Sequence, residues 1–170
     1  MPDARTMEVN AMIVFASRHG TAETLALAAG VGAVQARANI RVRRLTEQVP
    51  QEEVARDTRW QENWERMASE YIAPRAIDAD WANVVILAAP TAEVSQEEAL
   101  REMNAYLRSL PSCMGKLAAV LTPCDPMLEA AEAAGFTVVP APDNGFKDHA
   151  EATAFGKHVC EMARALKQSA

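Results

Sequence analysis

A chain of 170 residues with 49% hydrophobic content is long enough to bury one sizeable core and too short for two comfortable domains. Its net charge of -6, with 17 Lys and Arg that form no concentrated basic face, argues against a surface that tracks nucleic acid. Cys113, Cys124 and Cys160 make no CxxC and have no histidine pair nearby, so neither a disulfide framework nor a metal site is expected, and a reducing cytoplasm fits best.

Residues 1–10 carry charges and no apolar leader core, and read as a tail before a single domain over 11–170. No apolar run reaches the ~18 residues that a membrane-spanning helix needs. Ala11 to Ala16 is an apolar strand that stops in Ser17-Arg18-His19-Gly20-Thr21-Ala22-Glu23-Thr24 and restarts as a helix. Where a strand feeds a helix directly, the first helical N–H groups lack carbonyl partners, and the macrodipole adds roughly half a positive charge there. Two readings are open. The hydroxyls of Ser17, Thr21 and Thr24, with Gly20 at the turn, can cradle an anion such as phosphate, or they can simply cap the helix.

The small residues Ala28, Ala29, Gly32 and Ala33 suit a helix lying close on a sheet, ending near Ala38. Asn39 to Leu45 alternates apolar and charged residues, as a strand near an edge does, and its Arg41, Arg43 and Arg44 read as a solvated face. Gln51 to Tyr71 is one amphipathic helix with Trp60, Trp64 and Met67 at i, i+4 and i+7. Asn83 to Ala89 is continuously apolar, the pattern of a strand covered on both faces, and ends at Pro90-Thr91. Ser95 to Glu98 reads as a capping box for a helix with a Leu100, Met103, Leu107, Leu110 stripe. Lys116 to Thr122 is a second buried strand, and Asp125-Pro126 caps a short helix closed by Gly135. Phe136 to Pro140 is the last strand. A loop through Asp143-Asn144-Gly145 leads to a helix over about Asp148 to Lys167, with Phe155, Val159, Met162 and Leu166 on one face.

Strict strand–helix alternation predicts a parallel sheet with helices on both faces, because crossovers are right-handed. In such folds ligands bind beyond the carboxyl ends of the strands. Three loops are therefore singled out: 17–24, 90–95 and 122–126.

These elements and loops resemble the flavodoxin-like fold, and more narrowly the Trp-repressor-binding-protein-like (WrbA) NAD(P)H:quinone oxidoreductases. Ser17 to Thr24 is similar to that family's Ser-x-Tyr-Gly-His-x-Glu-Thr phosphate loop, and Ala89-Pro90-Thr91 to the start of its Gly-Thr-Pro-Thr-Arg-Phe-Gly loop. Gly115-Lys116-Leu117-Ala118 matches the opening of its fourth strand, and Gly156-Lys157-His158-Val159 is similar to its Gly-Arg-x-Val helix. The resemblance implies an α/β three-layer sandwich with a five-stranded parallel sheet in the order 2-1-3-4-5. It also implies a site in which Ser17, Arg18, His19, Gly20, Thr21 and Ala22 hold the phosphate of FMN. Pro90, Thr91, Ala92, Glu93 and Thr122 would then follow its ring. NAD(P)H and a quinone are the implied reaction partners, and a homodimer or tetramer the implied assembly.

Departures from the family pattern favour a different class of function. Ala92-Glu93-Val94 stands where the family has Arg-Phe-Gly, and Thr122-Pro123-Cys124-Asp125-Pro126 contains none of the glycines that wrap the flavin. The competing reading is a flavodoxin-fold protein with an eroded flavin site, which has lost its flavin and serves as a binding or interaction module without redox activity. His149 and His158 share no acidic partner at metal spacing and read as surface or packing residues, Cys124 as an incidental thiol near a helix start.

Overall fold

The computed structural model describes residues 8–90, 96–122 and 124–169. Five strands, β1 (Asn10–Phe15), β2 (Asn39–Arg44), β3 (Val84–Ala88), β4 (Leu117–Val120) and β5 (Thr137–Pro140), pair in parallel throughout, in the order β2-β1-β3-β4-β5. That is the order the resemblance implies. Between them run α1 (Thr21–Gln35), α2 (Gln51–Ala55), α3 (Thr58–Glu70), α4 (Ala76–Trp81), α5 (Gln96–Ser109) and α6 (Asp125–Ala133), and α7 (His149–Gln168) follows β5.

Two apolar layers sandwich the sheet because successive side chains of a strand point to opposite faces. Ala11, Ile13 and Phe15 of β1 pack with α1 and α7, while Met12 and Val14 pack with α4, α5 and α6. Every residue of β3 and β4 is buried, as their unbroken apolar runs predict. The small residues of α1 do what their size suggests. A Cβ on Gly32 would lie 1.8 Å from the Thr153 carbonyl oxygen, and one on Gly156 2.2 Å from that of Ala29, so α1 and α7 meet backbone to backbone. On α7 Ala152, Gly156, Val159, Cys160 and Ala163 are buried, and of the expected face Phe155 and Met162 also pack on the core whereas Leu166 is exposed.

The segment between β2 and β3 departs from expectation. The single helix over 51–71 is two helices, because Asp57 leaves the helical conformation and its carboxylate accepts the Trp60 amide at 3.1 Å, starting α3 afresh. The Trp60, Trp64, Met67 stripe does face inward, with Trp60 and Met67 buried. α4 was not expected at all. Its Asp78 is fully buried and accepts hydrogen bonds from Arg41 (3.0 Å) and Arg43 (2.8 Å), so these two are not a solvated face, and Arg44 is itself buried. The cause is a partner 35 residues or more away in sequence, which local alternation does not encode. α6 is capped one residue earlier than expected, at Cys124, with Asp125 and Pro126 in its first turn. Ser95 lies outside the described residues.

Candidate functional site

β1, β3 and β4 all deliver their chains to the same edge of the sheet, where the first loop lies. Ser17 is buried and its Oγ accepts the Gly20 N–H at 3.0 Å, closing a tight turn. Gly20 is the residue before α1, with φ 93° and ψ -3°, a left-handed conformation that glycine adopts without steric cost. The Thr24 hydroxyl donates back to the Gly20 carbonyl at 2.7 Å. The consequence is specific: the hydroxyl that the sequence offers as a cap shapes the loop instead, and α1 begins without a side-chain cap.

Opposite that helix start stands α3. Together with the first loop it walls a cavity of about 480 Å3, lined by His19, Gly20, Thr21 and Thr24 on one side and Arg59, Asn63 and Arg66 on the other. Glu23 is buried in this wall. Its carboxylate accepts from Arg66 at 2.6 and 2.9 Å and from the Tyr71 hydroxyl at 2.6 Å. The Arg66 hydrogen bonds outweigh burial and, with Tyr71, hold the Glu23 carboxyl below its ordinary range, while burial and the Glu23 hydrogen bond push the Tyr71 hydroxyl up. Arg66 also donates to the Glu70 carboxylate at 2.8 Å, so two carboxylates meet its charge, and Arg59 is the other guanidinium that lines the cavity. His19 Nδ1 is buried there without a hydrogen-bond partner among the described residues.

A second cavity, of about 560 Å3, adjoins the first through Thr21 and His149, which line both. Its walls come from α1 (Leu25), the end of β4 (Leu121, Thr122) and the β5–α7 loop (Asp143 to Asp148, including Phe146). Thr122 Oγ1 accepts the Ala89 N–H at 3.0 Å, tying the ends of β3 and β4 together across the floor.

The structure thus brings together His19, Gly20, Thr21 and Thr122 from the residues singled out by the resemblance. Ser17 and Ala22 are buried beneath them, and Pro90 is buried at the end of β3. Arg18 turns away: its guanidinium carbon lies 3.5 Å from the centre of the Trp60 ring and its Nη2 3.8 Å from Glu47. Thr91, Ala92 and Glu93 lie outside the described residues. Sequence reasoning missed the wall that α3 contributes through Arg59, Asn63 and Arg66, and the β5–α7 loop. The second was within reach, because Asp143-Asn144-Gly145 follows the last strand at its carboxyl end, where the fold class puts ligands. His149, read as a surface residue, is exposed and borders both cavities.

Among the described residues no group of three or more His, Cys, Asp or Glu is placed to hold a metal, and no helix is long and apolar enough to cross a membrane. No family model and no curated protein matches the sequence. Solved structures do match. Over 95% of this chain and 97% of its own, a diflavin flavoprotein A3 from Nostoc sp. superposes with a TM-score of 0.60 at 13% identity. The fold is flavodoxin-like. A short-chain flavodoxin associated with a non-canonical PDU bacterial microcompartment matches at 0.57 and 16% identity, covering 91% of this chain and 99% of its own. A flavodoxin from the domain Archaea matches at 0.55 and 17%, with the same two coverages. At these identities the likeness concerns the fold, in which this chain's two cavities occupy the carboxyl edge of the sheet.

Proposed function

We propose that the protein binds FMN, with the phosphate on the first loop, and acts as an NAD(P)H-dependent quinone reductase of the WrbA-like kind or as an electron-transfer relative. The observation that carries the reading is the start of α1: a helix N-terminus behind a left-handed glycine that offers no side-chain cap, on a cavity that His19 and Arg59 also line. This donor set fits a phosphate. The dipole of α1 favours an anion at its start, and each charge-assisted hydrogen bond to a phosphate oxygen contributes about 1.5–3 kcal/mol. When bound, FMN supplies the hydride and electron transfer, while the protein positions its ring and excludes water. A homodimer or tetramer in a cytoplasmic setting belongs to the same reading, with a neighbouring copy lending contacts to the ring.

The test is titration with FMN, followed by flavin fluorescence. The wild type is expected to bind, and Thr21→Glu, which sets a carboxylate against the phosphate, is expected to weaken binding at least a hundredfold. A wild type that leaves FMN fluorescence unchanged at millimolar protein defeats the proposal. The binding-module reading draws on the Thr122 hydroxyl, which accepts the Ala89 amide, and on the glycine-free run after it. It predicts a colourless protein that gains no flavin absorbance on FMN titration and oxidises no NAD(P)H in the presence of a quinone.

A further inference from the structure

The two cavities that meet at Thr21 and His149 differ in character, and the difference orients a ligand. Two helices begin at this mouth. α7 satisfies its own start: Asp148 Oδ1 accepts the Glu151 amide at 2.9 Å, and Glu151 Oε2 accepts the Lys147 amide at 2.8 Å, so two carboxylates already occupy it. α1 has no side-chain cap. From the phosphate seat proposed at α1, the rest of a ligand extends into the larger cavity, where Leu25, Leu121 and Phe146 form the apolar wall.

Phe146 is half-buried, packs against the core and has Phe155 beside it, with ring centroids 5.5 Å apart. The loop that presents it is itself held, by a turn in which the Gly145 amide donates to the Pro142 carbonyl at 2.8 Å and by the Lys147 contact to α7. A volume of about 560 Å3 lies within the span of ordinary ligand pockets, about 300–1,000 Å3. We propose that Phe146, on the β5–α7 loop, is the aromatic platform on which the planar ring of a phosphorylated ligand stacks. The ring half of the site is then built by a different loop from the two that the sequence pattern designates. This inference rests on the phosphate seat proposed above and deepens it.

Phe146→Leu tests it, because leucine keeps an apolar filler against Phe155 and removes only the ring face. Affinities for FMN and for riboflavin, which lacks the phosphate, are measured by flavin fluorescence, with thermal unfolding confirming that the variant folds. The wild type is expected to quench both flavins, and Phe146→Leu to weaken both about tenfold, the loss that removing one base–aromatic stack brings. Thr21→Glu is expected to weaken FMN to the riboflavin level and leave riboflavin unchanged. Phe146→Trp, which enlarges the platform, restores or exceeds wild-type affinity. Flavin affinities indifferent to Phe146→Leu, with FMN alone weakened in Thr21→Glu, overturn the platform and leave the phosphate seat standing. A wild type that binds neither flavin overturns both.

Discussion

Asp78 shows how one residue holds an element in place. Burial alone would push its carboxyl up, but hydrogen bonds from Arg43, the Arg75 amide and Arg41 outweigh that and hold it well below the usual carboxylate range. Replacing the charge strands two guanidiniums, and a broken pair of this kind costs about 3 kcal/mol, so Asp78→Asn is expected to lower Tm by roughly 6–12 °C. The pH dependence has a definite sign. A carboxyl whose folded pKa lies below its unfolded one contributes stability that is complete above the unfolded value and is lost as pH falls toward the folded value. The stability gap between wild type and Asp78→Asn should therefore be widest near neutrality and close on acidification below about pH 5. Urea unfolding at several pH values measures it, and a gap that stays constant refutes the clamp. The Arg41, Val42, Arg43, Arg44 run does read as a strand in the sequence, yet its charges read there as solvated, because the carboxylate they meet belongs to a distant helix.

Helices α1 and α7 illustrate the element scale. Their contact is made by glycines, and the Cβ positions of Gly32 and Gly156 fall on backbone atoms of the opposite helix, which cannot swing aside. Gly156→Ala is expected to destabilise by about 3 kcal/mol or more despite alanine's higher helix propensity, since overpacking against backbone forces the helices apart. Gly30→Ala is the control. Its Cβ meets only the Cδ1 tip of Ile13, at 2.8 Å, and should cost markedly less. Equal losses in urea midpoint for the two variants would count against backbone contact as the cause. Small residues at helical spacing made this packing legible in the sequence. The break at Asp57 and the existence of α4 were not, because a helix of 6 residues is too short for helical periodicity to register, and α4 is held by the Asp78 clamp.

For the molecule as a whole, burial ranks the three thiols. Cys113 and Cys160 are buried in opposite layers, and burial pushes both thiols up, that of Cys160 to about 11, whereas Cys124 is partly exposed at the start of α6. One thiol is expected to react promptly with a disulfide reagent in the folded protein, and all three after unfolding. Three fast thiols under native conditions would mean that the layers open readily. The five strands, their alternation with helices and the two-faced burial of β3 and β4 were determined by the sequence itself, because they depend on neighbours two, three or four residues apart. The likeness of its first loop to a phosphate loop likewise placed that loop at the end of β1. Only the tertiary structure decided that Arg18 turns to Trp60 and that Phe146 lines one cavity with Leu25 and Leu121. Those contacts join segments far apart in the chain. Their existence follows from the order in which the strands stack, and a local pattern of residues carries no record of that order.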